Sequence, residues 1–223
     1  MEKPYKAIVF DFDGVIIPDS DEVKRNAWPY VLRPYGPRAL ALLDEAHQRF
    51  GRGKGGDRFD ILRYIYTELG EPAANIEELV RISAEQFDRY MQEGILKSGV
   101  SAQTQVALKR LAEKFPLYVN TATPVAAIQK TVHALGIKDL FVGILGRPNS
   151  KIENFRLVAS KQNATPEEIL FVGDSDTDAK AAAEFGCVFV GFGNDLTNDW
   201  LRAPQQFPVV ASLAQLDDLS GFS

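Results

Sequence analysis

Short runs of apolar residues alternate along this chain with segments that have helical spacing. The apolar runs are rich in Val, Ile and Phe and are bounded by Gly, Pro, Asp, Asn or Thr, which is typical of fully buried parallel strands. Five runs predict strands: Lys6–Phe10, Leu117–Asn120, Phe141–Leu145, Ile169–Val172 and Cys187–Val190. Their alternation with helices predicts an α/β fold with a doubly wound, Rossmann-like parallel sheet.

Residues at the ends of the predicted helices support this interpretation. Thr123-Pro124 has the order of an N-cap followed by a first-turn proline, and Gly136 predicts the end of that helix. Ser150–Glu153 has the sequence of a capping box. The helix that begins near Asp176 is expected to end at Gly186.

Residues 18–97 interrupt the alternation because they contain no convincing strand. Pro29 lies inside the first helical candidate of this region and predicts a kink or a split there. Four helical candidates are found: Asp21–Leu32, Arg38–Phe50, Arg58–Leu69 and Ile76–Leu96. We therefore expect a helical cap domain over residues 18–97, inserted into an α/β core domain formed by residues 1–17 and 98–223.

Composition narrows the classes of function. The chain has 223 residues, a formal net charge of −5 and one cysteine, which argues against a dedicated nucleic-acid binder, a disulfide framework and a cysteine-rich zinc site. No apolar run approaches the roughly 20 residues of a membrane span. We expect no signal peptide, because the residues before Asp11 lack an apolar region of the length that one needs. We expect a cytoplasmic protein without nucleic-acid or membrane partners; the oligomeric state is not indicated.

Two clusters of acidic residues directly follow predicted strands. Asp11 and Asp13 follow the first strand, and Asp174, Asp176 and Asp178 follow the fourth. Ligands of open α/β sheets bind at the carboxyl ends of the strands, and clustered carboxylates suit a hard cation such as Mg²⁺. Acidic residues that merely cap helix N-termini are the alternative for each cluster alone. The pair of clusters favours a metal.

A metal site that also binds an anion needs polar and cationic groups, and two further segments offer them. Thr121 and Ala122 follow the second strand and offer a hydroxyl and backbone N–H groups to an anion. Lys151 lies in the first turn of a helix, where the helix dipole disfavours a cation. A solvated surface lysine is the alternative if Lys151 is considered by itself.

Four short segments occur in a fixed order along the chain: DFDGV (11–15), VNT (119–121), SK (150–151) and GDSDTDAKAA (173–182). Together they resemble the motifs of the haloacid dehalogenase-like (HAD) hydrolase superfamily. The resemblance covers the whole chain. It implies that the helical insertion is a C1-type cap and that the protein is of the phosphatase or phosphomutase type.

The resemblance also implies a role for each matched residue. Asp11 would be the nucleophile that forms an aspartyl-phosphate, and Asp13 the general acid and base. Mg²⁺ would be held by the carboxylates of Asp11 and Asp174 and by the backbone carbonyl of Asp13. The residues that would bind phosphoryl oxygens are Thr121, Ala122 and Lys151. Asp178 and Ser175 would lie behind these groups and orient Lys151 or the metal's water.

Asp13 indicates the class of reaction, because an alkoxide leaving group needs an acid and a halide does not. We therefore expect a Mg²⁺-dependent phosphatase that acts on a small phosphorylated metabolite. A sugar phosphomutase and a catalytically silent binding protein are the alternatives.

Other candidates are assigned smaller roles. The segment Arg52–Arg58 is rich in glycine and in cationic residues and is similar to a cap loop of sugar phosphomutases. Arg58 is the best candidate in this segment for binding an anion. A solvated loop without a binding role explains the same residues equally well. His47 and His133 are expected to be packed or surface residues. Cys187 is expected to be a small core residue.

Overall fold

The structure, a computed structural model, describes residues 5–50, 56–195 and 198–217. Within them, six parallel strands form one sheet in the order β3-β2-β1-β4-β5-β6. The strands are β1 (Ala7–Phe10), β2 (Leu117–Pro124), β3 (Gly143–Arg147), β4 (Ile169–Gly173), β5 (Val188–Phe192) and β6 (Val209–Val210). The direction of the strand order reverses at β1, as in doubly wound folds. The predicted α/β class is confirmed; the two-residue β6 was not predicted.

The helical segments of the insertion are present, and α1 continues through Pro29 without splitting. The α-helices are α1 (Ser20–Leu32), α2 (Gly36–Phe50), α3 (Arg58–Glu68), α4 (Ala73–Ser98), α5 (Ala102–Ala112), α6 (Val125–Ala134), α7 (Lys151–Gln162) and α8 (Asp176–Phe185). Short 3-10 helices cover Arg33–Tyr35, Lys138–Leu140, Pro166–Glu168 and Leu213–Asp217. Helix α5 was not predicted. No described helix is both long and apolar enough to cross a membrane.

The chain divides into two compact units. One contains the sheet and comprises the described residues up to Asp21 and from Leu96 onward; the other, Glu22–Ile95, is helical. The helical unit has its own buried core, which includes Trp28, Val31, Leu32, Leu62, Ile65, Tyr66 and Phe87. A core of this kind gives the insertion its own hydrophobic stabilisation.

The sheet unit is held together by large side chains that pack across neighbouring strands. Val9 of β1 is in register with Tyr118 of β2 and with Phe171 of β4. Phe155 of α7 packs edge-on against Phe171, with ring centroids 4.8 Å apart. This core fixes the central strands β1, β2 and β4 side by side, so that their carboxyl ends meet at one edge of the sheet.

The predicted start of α6 is wrong. Thr123 is not an N-cap: β2 runs to Pro124 and α6 begins at Val125. The reason is a close approach of two backbones, since a Cβ at Gly146 of β3 would lie 2.2 Å from the carbonyl oxygen of Thr123. After an irregularity beyond Asn120, β2 therefore pairs with β3 once more, at Pro124 and Arg147.

Candidate active site

Three carboxylates and one ammonium group meet at the carboxyl edge of the sheet. Asp11, Asp174 and Asp178 each offer an oxygen, and these oxygens lie within 4.8 Å of one another. Nζ of Lys151 lies 2.9 Å from Oδ2 of Asp11 and also donates to Oδ1 of Asp178. Residues that are far apart in the sequence thus form a single charged cluster.

The turn after β1 orients the first two acids. Asp11 donates its backbone N–H to the carbonyl of Val172 (2.9 Å), and its Oδ1 accepts the N–H of Phe12 (2.8 Å). Gly14 follows with φ of +78°, and its N–H donates to Oγ of Ser20 (2.9 Å). The hydroxyl of Thr123 donates to Oδ2 of Asp13 at 3.5 Å. Asp13 therefore lies beside the end of β2.

A capping box at the start of α8 holds Asp178 in place. Its Oδ2 accepts hydrogen bonds from the N–H of Ser175 (3.1 Å), the hydroxyl of Ser175 (2.6 Å) and the N–H of Asp174 (3.3 Å). Asp178 is fully buried. Its other oxygen accepts from Lys151, so a fully satisfied carboxylate orients the ammonium group.

Lys151 is the first residue of α7, and buried asparagines fix the start of that helix. Nδ2 of Asn120 donates to the carbonyl of Lys151 (2.9 Å), and Oδ1 of Asn120 accepts from Nδ2 of Asn154 (2.9 Å). The predicted capping box of Ser150 and Glu153 is also present. The sequence analysis included Asn120 in the motif VNT (119–121) but gave no role to it or to Asn154. The available signal was an amide in the otherwise apolar run LYVN.

Asparagines after β5 support the acidic loops, and these too were missed. Nδ2 of Asn194 donates to the carbonyls of Gly14 (3.2 Å) and Pro18 (2.9 Å). Nδ2 of Asn198 donates to the carbonyl of Asp174 (2.8 Å). Their sequence signal is polar residues at the carboxyl end of another strand.

Thr121 is buried in β2, and its Oγ1 accepts the N–H of Thr123 (3.2 Å). Ala122 between them is exposed, and its carbonyl accepts from Nε of Arg147 (2.5 Å). The two residues proposed to bind phosphate, Thr121 and Ala122, thus belong to β2 and lie at the same edge of the sheet as Asp11 and Asp13.

Arg58 lies in the helical unit. It begins α3, forms an ion pair with Asp88 and lies over the ring of Phe87, with the guanidinium carbon 5.7 Å from the ring centroid. Residues 52–55 of the predicted cap loop lie outside the described residues. The contacts of Arg58 with Asp88 and Phe87 are therefore both within the helical unit.

His47 and Cys187 are packed, and His133 is exposed. His47 packs edge-on against Trp28 in the helical unit. Cys187 is buried, and burial raises the pKa of its thiol to about 12, so the nucleophilic thiolate is not formed at neutral pH. His133 lies in the last turn of α6.

The crowding of carboxylates changes the acidity of Asp11. Burial raises the pKa of Asp11, Lys151 opposes this shift, and the charges of Asp178, Asp13 and Asp174 raise it further. For Lys151, burial alone would lower the pKa, but the carboxylates of Asp11 and Asp178 outweigh it and hold the pKa above its usual value. The ammonium group is charged at neutral pH, and one such charge does not balance the acids around it.

The donor set fits a hard divalent cation. All the candidate ligands in the cluster are carboxylate oxygens, the type that Mg²⁺ prefers. Asp178 accepts four hydrogen bonds through its two oxygens, whereas Asp11 has two such partners. Asp11 and Asp174 are therefore the carboxylates better placed to hold a metal. A bound cation would also relieve the repulsion that raises the pKa of Asp11.

Comparison with known proteins identifies the family. Residues 5–186 match the family described as haloacid dehalogenase-like hydrolase. The chain belongs to this family. The phosphoglycolate phosphatase of Salmonella paratyphi A is 36% identical over 138 residues, which cover 55% of this chain and 53% of the relative. The chain thus spans about half the length of the curated relatives that it matches.

Solved structures of HAD-like proteins share the fold over nearly the full chain. A subfamily IA HAD-superfamily hydrolase from Geobacter sulfurreducens superposes with a TM-score of 0.70 at 19% identity and covers 98% of this chain and 97% of that one. The β-phosphoglucomutase of Clostridium difficile gives a TM-score of 0.65 at 22% identity, with 95% and 93% covered. At these identities, the comparison concerns the fold alone.

In this HAD-like hydrolase, Gly14 makes room for Asp174. A Cβ at Gly14 would lie 2.2 Å from Oδ2 of Asp174. We expect Gly14→Ala to lower the free energy of unfolding by about 3 kcal/mol, because it combines backbone strain with a collision. Displacement of Asp174 should also lower any turnover on the order of 10²-fold. Urea denaturation and a hydrolase assay measure the two effects.

Gly136→Ala is the matched control for this prediction. Gly136 also has a positive φ, of +69°, but no atom lies within 4 Å of the position where its Cβ would be. We expect this control to cost only about 1 kcal/mol and to leave turnover unchanged. Equal losses of stability and activity in the two variants would show that contact with Asp174 is unimportant.

Proposed function

We propose that this protein is a Mg²⁺-dependent phosphatase that hydrolyses a small phosphorylated metabolite through an aspartyl-phosphate on Asp11. The observation that carries the proposal is the placement of Lys151, with Nζ 2.9 Å from Oδ2 of Asp11 and held by the buried Asp178. This arrangement puts a cation beside a carboxylate at the ligand-binding edge of the sheet. An approaching phosphate dianion meets a positive charge there instead of only acids.

In the first step, a carboxylate oxygen of Asp11 attacks phosphorus, and the bond from phosphorus to the leaving oxygen breaks. Asp13 gives its proton to that oxygen, so a neutral alcohol departs. In the second step, Asp13 takes a proton from water as the water oxygen attacks phosphorus. Inorganic phosphate leaves and the carboxylate of Asp11 is restored.

Lys151, the hydroxyl of Thr121 and the backbone N–H of Ala122 are the proposed ligands of the phosphoryl oxygens. Burial of Lys151 strengthens its interaction with the charge that develops during transfer. Asp178 and Ser175 act through it: the hydrogen bonds of the capping box fix Asp178, and Asp178 fixes the ammonium group.

Asp11 and Asp174 would hold Mg²⁺ through their carboxylates, together with the backbone carbonyl of Asp13. The cation would supply charge neutralisation for the phosphoryl group and its transition state. Gly14 and the asparagines after β5 fix the loops that bear these ligands.

We assign residues 18–97 the role of a cap domain that selects the substrate; this domain is inserted in sequence into a core domain formed by residues 1–17 and 98–223. Arg58 is the proposed anion contact of this cap, because a guanidinium binds carboxylate and phosphate oxygens in pairs. Its ion pair with Asp88 would have to open when an anion binds. The similarity to phosphoglycolate phosphatases favours a small acidic phosphomonoester. The substrate panel therefore starts with 2-phosphoglycolate.

The test is release of inorganic phosphate from a panel of phosphorylated metabolites, with Mg²⁺ or with EDTA. We expect release that requires Mg²⁺ and that returns when Mg²⁺ is restored after chelation. Transfer of the phosphoryl group within a sugar, without release, would indicate the phosphomutase instead. No turnover of either kind would contradict the proposal and favour a silent binding protein.

A further inference from the structure

We propose that Arg147 forms a subsite for a second anionic group of the substrate, so that the preferred substrates are phosphomonoesters whose remaining part carries a carboxylate or another phosphate. This inference rests on the proposed phosphatase function. Three independent features of Arg147 carry it: its position at the edge of the sheet, its fixed backbone and its lack of an acidic partner.

Arg147 lies beside Ala122, one of the two residues at the end of β2 that are proposed to bind phosphate. It is the last residue of β3, at the carboxyl edge of the sheet that also bears Asp11. Its Nε donates to the carbonyl of Ala122 (2.5 Å), and Ala122 directly follows Thr121. The guanidinium is therefore bonded to the residue that directly follows Thr121, a proposed ligand of the phosphoryl group.

The backbone of Arg147 is fixed by the irregular pairing of β2 and β3. Arg147 is in register with Pro124, beyond the irregularity that follows Asn120. The preceding Gly146 permits the close approach, because a Cβ there would lie 2.2 Å from the carbonyl oxygen of Thr123. The side chain is thus anchored at both its backbone and its Nε, which lowers the entropy lost when it binds a ligand.

The charge of Arg147 is available to a ligand. Within residues 5–50, 56–195 and 198–217, no carboxylate forms an ion pair with Arg147, and its side chain is exposed. By contrast, four arginines are ion-paired with acids: Arg58 with Asp88, Arg63 with Glu77, Arg81 with Glu78 and Arg202 with Asp195. The bond to Ala122 uses one of the five N–H donors of a guanidinium, which leaves its terminal nitrogens for a pair of anionic oxygens.

A set of two-carbon phosphomonoesters separates this subsite from the phosphoryl site. 2-Phosphoglycolate carries a carboxylate, 2-hydroxyethyl phosphate a neutral hydroxyl and phosphoethanolamine a cation. We expect wild type to prefer 2-phosphoglycolate. Arg147→Gln should lower kcat/KM for it about tenfold to a hundredfold, the loss typical of a charged hydrogen bond, and change that for 2-hydroxyethyl phosphate less than about threefold. Arg147→Glu should shift the preference toward phosphoethanolamine.

Arg156→Gln is the control for loss of one positive charge, because Arg156 is an exposed arginine of α7 in the same unit. It should leave the ratio of the substrates unchanged. A bisphosphate such as glucose 1,6-bisphosphate tests whether the second anion is a phosphate: a larger effect of Arg147→Gln on it than on 2-phosphoglycolate would assign the subsite to phosphate.

Two outcomes would overturn the inference. Wild type that turns over 2-hydroxyethyl phosphate as well as 2-phosphoglycolate has no subsite for a second anion. Equal losses for all three esters in Arg147→Gln would place Arg147 at the phosphoryl group itself. Absence of phosphate release from the whole panel would instead refute the proposed function. Circular dichroism of each variant distinguishes these results from misfolding.

Discussion

Asp11→Asn is expected to lower turnover by on the order of 10⁴-fold or more. The amide keeps the shape of the side chain but is not a nucleophile toward phosphorus, so the first chemical step is lost. It also removes a charge from a cluster in which burial and neighbouring acids raise the pKa of Asp11. The variant should therefore fold, and the loss should appear in kcat at saturating substrate.

Asp19→Asn is the control for this variant. Asp19 lies in the same segment between β1 and α1 but is exposed, and the same change of carboxylate to amide there should leave turnover unaltered. Phosphate release by Asp11→Asn at a rate near that of wild type would exclude Asp11 as the nucleophile.

Lys151→Met is expected to affect both activity and stability. Its removal leaves Asp178 buried without its ammonium partner, and breaking such a pair costs about 3 kcal/mol or more. Turnover should fall on the order of 10³-fold, since the group that offsets phosphate charge is lost. Denaturation in urea and steady-state kinetics measure the two losses separately.

Mg²⁺ should distinguish these two effects. A cation held by Asp11 and Asp174 would neutralise part of the uncompensated charge, so Mg²⁺ should restore some of the stability of Lys151→Met but not its turnover. Lys161→Met is the control on the same helix: Lys161 is exposed, and its Nζ donates to the carbonyl of Val142 at 3.4 Å and lies 6.0 Å from the ring centroid of Tyr118. Unchanged kcat in Lys151→Met would contradict the proposed role of this residue.

The fold could be predicted where one physical signal dominates. Buried parallel strands require continuous apolar runs, and the runs at β1 and β4 lie within a residue of the observed strands. The end of β2 could not be predicted, because Thr123 and Pro124 have a local preference for a helix start. The approach of Gly146 of β3 overrides that preference, and this contact is invisible in the segment itself.

Some residues of the candidate site could likewise be predicted from the sequence, and others could not. Strand ends predict that Asp11, Thr121 and Asp174 meet at one edge, because parallel strands bring their carboxyl ends together. Asn120, Asn194 and Asn198 act through side-chain bonds to the backbone of distant segments. Such bonds have no spacing rule in the sequence, so polar residues at strand ends mark the positions of these asparagines, but their partners are found only in the structure.

The central claim is that the phosphoryl group passes through Asp11, and mass spectrometry of the quenched protein tests it most directly. With an aryl phosphate such as p-nitrophenyl phosphate, the leaving group needs no acid, so Asp13→Ala should complete the first step but lack the base for the second. We expect this variant, mixed with Mg²⁺ and substrate and quenched in acid, to carry one phosphoryl group on the peptide that contains Asp11. Turnover by wild type with no adduct in either protein, or an adduct on another residue, would contradict the account.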